Sequence, residues 1–463
     1  MPDSIDRRSA VKWMGLGTAA MAFSFDDFIK QNEKIDYESN PRHVILDKPI
    51  TAITLGAGAR GNTYGNYAVS NPNEIKIVGV AEPVALRNER YAKKHNIIDA
   101  NRFSTWEHVL QKPKMADAVI ITMPDDLHYE PVMQALAKGY DVLLEKPMAQ
   151  TEQQCRNILA QVKKTGRIVA VCHVLRYAPY FIKLRKMIQS GAIGELISVN
   201  HFEPIEHIHM SHSFVRGNWH NSKATTPIIL AKSCHDLDIM RWLIDKPSES
   251  IAAFGGLKWF RKENAPQGST ARCMDGCAVE STCPYSAMKI YHRKRSWTYV
   301  FDLPEDKSLQ GDAILNYLKT TDYGRCVYKM DNDQADHYVS SILFKDGVTA
   351  NFSMEAFTSY HGRRTRVMGS MGDIVGDMNK FTYTDFRTGE SKDWDVKTDD
   401  DSIYKNHGHG GGDFGLMKDW VQAVAQHDAS LLTSTIDASI ESHILAFSAE
   451  KSRLKKKIVD IKI

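Results

Sequence analysis

The 463-residue chain has no run approaching the ~18 or more apolar residues that cross a bilayer, no internal repeat, no low-complexity tract and no block of like charge. The first absence speaks against an integral membrane protein, and the others against repeat arrays and disordered tracts. Excess charge of one sign is missing too: 59 Lys and Arg stand against 56 Asp and Glu, and the formal net charge of +3 is spread along the chain. Nucleic acid and anionic membranes are therefore not expected as main partners. Cysteine is scarce, with 7 residues. What remains is an ordinary globular composition, 43% hydrophobic and 25% charged, in a chain too long for one core and sized for two or three domains.

The opening MPDSIDRRSAVKWMGLGTAAMAFSF sets Arg7 and Arg8 ahead of Lys12 and a short run rich in Gly and Ala, with Ala20-Met21-Ala22 as a small-x-small cleavage pattern. This predicts a twin-arginine export signal over residues 1–22 and a bacterial periplasmic protein that folds, and captures any cofactor, before export. No cysteine follows the run, so a lipid anchor is not indicated. Three cysteines crowd together in ARCMDGCAVESTCPYSA: Cys273, Cys277 and Cys283. Their spacing matches no established zinc pattern. A structural metal with a fourth ligand elsewhere, or a disulfide plus a free thiol, both stay open.

Residues 50–61, ITAITLGAGARG, run a β-branched strand into Gly56-x-Gly58-x-x-Gly61, and a helical pattern follows. A second apolar strand, IKIVGVAEP, ends at Glu82, 21 residues beyond Gly61. In a dinucleotide-binding βαβ unit, Gly56 permits the turn, Gly58 lets the backbone approach a pyrophosphate, and Gly61 lets helix and strand pack closely. The helix N-terminus favours the phosphates, and Glu82 accepts from the adenosine ribose hydroxyls. A carboxylate there favours NAD over NADP; Arg60 nearby would blunt the preference. A third unit, ADAVIITMPDDLHYEPVMQALAKGYDVLLEKPMA, gives a strand, a loop with Pro124, a helix with His128 in its first turn, and a strand ending in Glu145-Lys146-Pro147. Parallel strands present ligands at their carboxyl ends, so Glu145 and Lys146 share an edge with the glycine loop.

GAGARG, the VAEP strand end, ITMPDDLH, VLLEKPMA and GAIGELISV together resemble the Gfo/Idh/MocA family of NAD(P)-dependent sugar oxidoreductases over about residues 48–460. The resemblance implies an α/β fold: an N-terminal Rossmann NAD-binding domain over 48–170, then an α+β domain over 171–463 with a large open, mainly antiparallel sheet. The segment 258–335 reads as an insertion in that sheet domain. It further implies that Lys146 touches the hydroxyl being oxidised, that Pro147 is cis, and that the open sheet joins subunits into a homo-oligomer. Beyond Lys146, the cofactor residues are Gly56, Gly58, Arg60, Gly61, Glu82, Pro124, His128 and Glu145.

Substrate contacts are expected from Arg176 and Tyr177 in CHVLRYAPY; from His209, Arg216 and Trp219 in EHIHMSHSFVRGNWHN, where an indole beside imidazoles suits a carbohydrate; and from Tyr360 and His361 in SYHGRRTR. In AKSCHDLDIMRWL, His235 and Asp238 match the second and third positions of a family helix that usually begins Asp, here Ala231. Either His235 is the sole general base, oriented by Asp236, Asp238 or a cysteine neighbour, or the chemistry has shifted; Asp238 is also expected to contact substrate. YKNHGHGGGDFGL, with Tyr404, His407, His409 and Asp413, resembles a late substrate-side element and also reads as a connector. The chemistry expected is NAD-dependent oxidation of a secondary hydroxyl on a carbohydrate or glycoside, with NAD tightly held. The alternatives are a glycoside hydrolase using bound NAD transiently, without the usual carboxylate pair, and a non-catalytic sugar or nucleotide sensor.

Overall fold

The computed structural model describes residues 42–398 and 408–462. The export signal, Tyr404 and His407 lie outside these residues. A six-stranded sheet comprises β1 (Ile50–Leu55), β2 (Ile75–Ala81), β3 (Arg102–Phe103), β4 (Ala118–Ile121), β5 (Asp141–Leu144) and β6 (Val169–Val171). All pairs are parallel, in the order β3-β2-β1-β4-β5-β6. Between them run α1 (Ala59–Ser70), α2 (Ala85–His95), α3 (Tyr129–Ala137) and α4 (Glu152–Thr165). Helices cover both faces, so every residue of β4 and β5 is buried, which is why these strands read as continuous apolar runs. The strand order reverses between β1 and β4 and opens a crevice at their carboxyl ends.

After α5 (Pro179–Gln189) comes a nine-stranded sheet: β7 (Leu196–Pro204), β8 (Ser248–Gly256), β9 (His337–Phe344), β10 (Thr349–Glu355), β11 (Arg364–Gly369), β12 (Gly372–Gly376), β13 (Lys380–Asp385), β14 (Ser391–Asp395) and β15 (Val459–Asp460). The order is β14-β13-β12-β11-β7-β10-β9-β8-β15, and only β7·β10 is parallel. Burial alternates along β9, because one face packs on the core while Val339 and Leu343 point outward. α6 (Cys234–Ile244) lies against the packed face. The insertion carries α7 (Gln310–Thr320) and a small core of its own, Tyr291, Phe301, Ile314 and Leu318. The chain then returns: Phe414, Leu416 and Trp420 of α8 (Gly412–Gln426) join Ala52 and Tyr64 in the first domain's core, and α9 (Ile436–Lys455) packs on α4, α6 and β8. No helix among the described residues is long and apolar enough to cross a membrane.

The glycine loop is fixed by close approach. A Cβ on Gly61 would sit 2.1 Å from the Gly56 carbonyl oxygen. Gly61→Ala is therefore expected to cost about 1–3 kcal/mol through overpacking, read as a lowered denaturant midpoint together with weakened NAD binding.

Candidate active site

Gly56 turns the chain with φ +96°, its N–H donating to Ala81 O at 2.8 Å and its carbonyl accepting from Thr122 Oγ1 at 2.6 Å. Glu82 is drawn back over this turn, accepting from the N–H groups of Ala57 (2.8 Å) and Val84 (3.0 Å). A Cβ on Gly58 would meet nothing within 4 Å. The protein itself does not require glycine there, whereas a diphosphate lying on the start of α1 would. Open space at Gly58, a helix N-terminus and a neighbouring carboxylate together fit a dinucleotide.

β5 delivers Glu145-Lys146-Pro147 to the same edge, with a cis Lys146–Pro147 peptide bond. Glu145 is buried and accepts from Arg60 Nε (2.5 Å), Tyr64 Oη (2.8 Å) and Lys146 N (2.9 Å). Burial pushes its carboxyl upward, but Arg60 and Lys146 outweigh that and hold it below the usual range. Lys146 Nζ donates to the Ala231 carbonyl at 2.8 Å. Where relatives were expected to offer a carboxylate, this chain offers a main-chain oxygen. His235, in the first turn of α6, is 6% exposed, and its Nδ1 is buried without a partner among the described residues. Burial first, then Lys146, His409, His173 and Arg363, holds its imidazole well below 6.5, so the ring is neutral and able to take a proton.

Residues 51–173 match the family model described as oxidoreductase family, NAD-binding Rossmann fold, and residues 185–459 match that of the family's C-terminal alpha/beta domain. The chain belongs to the Gfo/Idh/MocA oxidoreductase family. Its first domain is that family's NAD-binding domain. It is 27% identical to YteT of Bacillus subtilis (strain 168) over 316 residues, 65% of this chain and 71% of that protein. It is 24% identical to inositol 2-dehydrogenase/D-chiro-inositol 3-dehydrogenase of Lactiplantibacillus plantarum over 46% of this chain, and the match spans 57% of that enzyme's length. Its fold is similar to that of an inositol dehydrogenase homolog from Azotobacter vinelandii complexed with NADH and myo-inositol. The TM-score is 0.64 at 14% identity, covering 90% of this chain and 99% of that one.

Against this Gfo/Idh/MocA frame several expected contacts are corrected. Arg60 is not free to meet a 2′-phosphate: it bonds Glu145, Tyr64 and Asp413, the last at 2.7 Å, and so ties α1 to β5 and α8. His128 has both ring nitrogens engaged by the protein rather than free for the cofactor. Its Nδ1 lies 2.7 Å from Pro147 O and its Nε2 2.8 Å from Met123 O, joining the two loops at the crevice. Pro124 stays exposed at the end of β4, and the next residue, Asp125, accepts from Trp219 Nε1 (2.9 Å) and Thr226 Oγ1 (2.7 Å). Trp219 is thus a tie between domains.

Arg176 and Asp238 form a buried bidentate pair at 2.6 and 2.7 Å, with Arg176 also donating to Thr433 O and Ala438 O. Neither is available to a sugar. Removing either charge strands the other in the core. Asp238→Ala is therefore expected to cost about 3–5 kcal/mol, seen as a lowered Tm with KM little changed in whatever folds. Tyr177 Oη is 2.9 Å from Ser434 Oγ and accepts from the backbone N–H groups of Thr433 and Ser434, which anchors the α8–α9 connection. Arg216 is spent on Arg325 O (2.8 Å) and Tyr285 O (2.7 Å) at the base of the insertion. Asp236 bonds Arg363 and His201, so it does not orient His235.

Cys273, Cys277 and Cys283 line one small cavity together with Cys326, which sequence spacing did not reveal. All seven cysteines are free, and among the described residues no group of three or more His, Cys, Asp or Glu is arranged to hold a metal. Cys273 Sγ accepts from Ala287 N, and burial pushes the Cys283 and Cys326 thiols up.

The remaining residues expected to contact substrate are His209, Tyr360 and His361. His209 packs 4.6 Å from Trp297, centroid to centroid, and burial followed by Lys232, His212, His361 and Arg363 depresses its imidazole. His361 is exposed, and Tyr360 receives the Arg364 guanidinium at 4.9 Å. Other polar residues lie near these groups and were not foreseen. His173, at the end of β6, lies 6.0 Å from the His235 ring. Glu203 pairs with Arg363 (3.0 Å) and Lys232 (3.3 Å). His443 of α9 accepts from Met148 N at 3.0 Å. The strand-end rule would have found His173; nothing local marks His443 or Glu203.

Proposed function

We propose that this protein oxidises a secondary hydroxyl of a carbohydrate or glycoside, with NAD as hydride acceptor. The observation that carries the reading is a neutral His235 imidazole beside Lys146 at the carboxyl edge of the nucleotide crevice, its Nδ1 without a partner among the described residues. Bound NAD supplies the hydride acceptor. Lys146 donates to the reacting hydroxyl oxygen and stabilises negative charge there, and His235 removes the proton. Glu145, itself ionised, fixes the Lys146 main chain through Lys146 N. The polyol and sugar dehydrogenases among its relatives support a substrate of this class.

Purified protein with no added nucleotide, offered a panel of aryl glycosides and free sugars, tests the reading in one cuvette. A burst of reduced nicotinamide absorbance without aryl release supports the dehydrogenase. Many turnovers of aryl release with little reduced cofactor favour the NAD-dependent glycosidase instead. NAD that binds, with no chemistry on any member of a broad panel, points to the sensor.

The outward-facing Ile197, Phe254, Val339 and Val375 support a homo-oligomer built through the open sheet. Light scattering should give a mass above one subunit, and Val339→Lys should lower it. Export by the twin-arginine route rests on Arg7 and Arg8. Replacing both by lysine should leave the protein in the cytoplasm.

A further inference from the structure

The insertion reaches the NAD-binding domain. Its Asp302 pairs with Arg87 Nε at 2.7 Å, and Leu303 O accepts from Arg90 Nη2 at 3.0 Å. Arg87 and Arg90 lie on α2 of the NAD-binding domain, five and eight residues after Glu82. The Glu82 carboxylate is near enough to act on the Arg87 guanidinium. Asp302 is held by its own N–H, which donates to Tyr317 Oη at 3.2 Å, and by Phe301, stacked 4.9 Å from Tyr317 and packed on Tyr291 and Tyr323. The same aromatic cluster grips the substrate side. Tyr291 Oη lies 2.8 Å from His212 Nδ1, and Trp297 packs against His209 and His212. Residues 291–303 thus bridge α2 beside Glu82 and the His209–His212 segment of the second domain.

We propose that the insertion is a wall of the dinucleotide site, in which Asp302 clasps Arg87 beside Glu82, retains the bound nucleotide and keeps Arg87 from pairing with a 2′-phosphate. An arginine at this place beside the ribose is the usual partner of NADP. With Asp302 occupying it, the arginine serves closure instead of selectivity for phosphate. This rests on the reading of the crevice as an NAD site, and the assignment is independent of which sugar is oxidised.

The test uses the full-length protein loaded with NAD, compared with Asp302→Ala and the isosteric Asp302→Asn. Release of bound NAD is followed after dilution into excess unlabelled nucleotide, and NAD and NADP affinities are measured by titration. Release is expected to quicken roughly tenfold, the effect of one charge-assisted contact, and the NADP-to-NAD affinity ratio to rise by a similar factor. Asp302→Glu should restore slow release. Unchanged release and ratio in variants that melt like the parent would overturn the proposal. Equal weakening of both nucleotides, with the ratio fixed, would overturn the selectivity role and leave Asp302 the retaining role alone. Failure of the parent to bind either nucleotide would instead strike at the NAD site itself.

Discussion

Lys146→Ala is expected to lower kcat by about 10²–10⁴-fold while NAD binding is retained. Lys146 Nζ is the cation presented at the carboxyl edge of β5, and its hydrogen bond to the Ala231 carbonyl carries no opposing charge. Removing it deletes the donor for the developing alkoxide without touching the glycine loop, Glu82 or the Glu145–Arg60 pair that hold the nucleotide edge together. Lys146→Arg should recover little, because a planar guanidinium cannot occupy the position of a point ammonium. His235→Asn should lose kcat on a similar scale, and the parent's acid limb should fall below 6.5, since the groups facing His235 (Lys146, His409, His173 and Arg363) all act against its protonation. Pre-steady-state reduction of bound nucleotide is the measurement. Undiminished reduction in Lys146→Ala would exclude the assigned role.

Acid should unfold the protein well before its carboxylates titrate. His173 and His212 are buried and depressed to about 3, by burial first and then by His443 and Arg176 around His173 and by Arg216 beside His212. Asp238 opposes this at His173 without prevailing. Each ring is neutral when folded and takes up a proton once unfolded. Their stabilisation is therefore complete above about 6.5 and is lost as pH falls toward 3. At pH 5 the loss is about 2 kcal/mol for each of the two, and His209, His235 and His443 act in the same direction. Against a typical domain stability of ~5–15 kcal/mol this is a large fraction. The depressed carboxyls Asp236, Asp238, Asp413 and Glu145 add their own losses only at lower pH. Tm should fall steeply between pH 7 and 5, and His212→Gln should flatten the slope. A Tm constant across that window would refute the burial argument.

How much was legible follows from where the signal resides. Glycine spacing, apolar strands and the Glu145-Lys146-Pro147 terminus are local consequences of a βαβ unit, so the sequence by itself determined the Rossmann domain and its nucleotide edge, whereas the roles expected of Lys146 and His235 came from the family resemblance. The open antiparallel sheet was legible only through the family motifs, since half-exposed strands such as β9 carry a weak alternating pattern. The tertiary structure alone decided which polar residues face the pocket. Arg176, Tyr177, Arg216 and Asp238 have the chemistry of sugar ligands, yet each finds a partner hundreds or tens of residues away, Arg176 and Asp238 in each other and the others on the α8–α9 connection or the insertion, and is buried by it. A one-dimensional pattern records that a charged side chain is present. Only the packed chain decides whether a carboxylate, a carbonyl or a ligand satisfies it, because buried charges must be paired wherever the fold brings a partner.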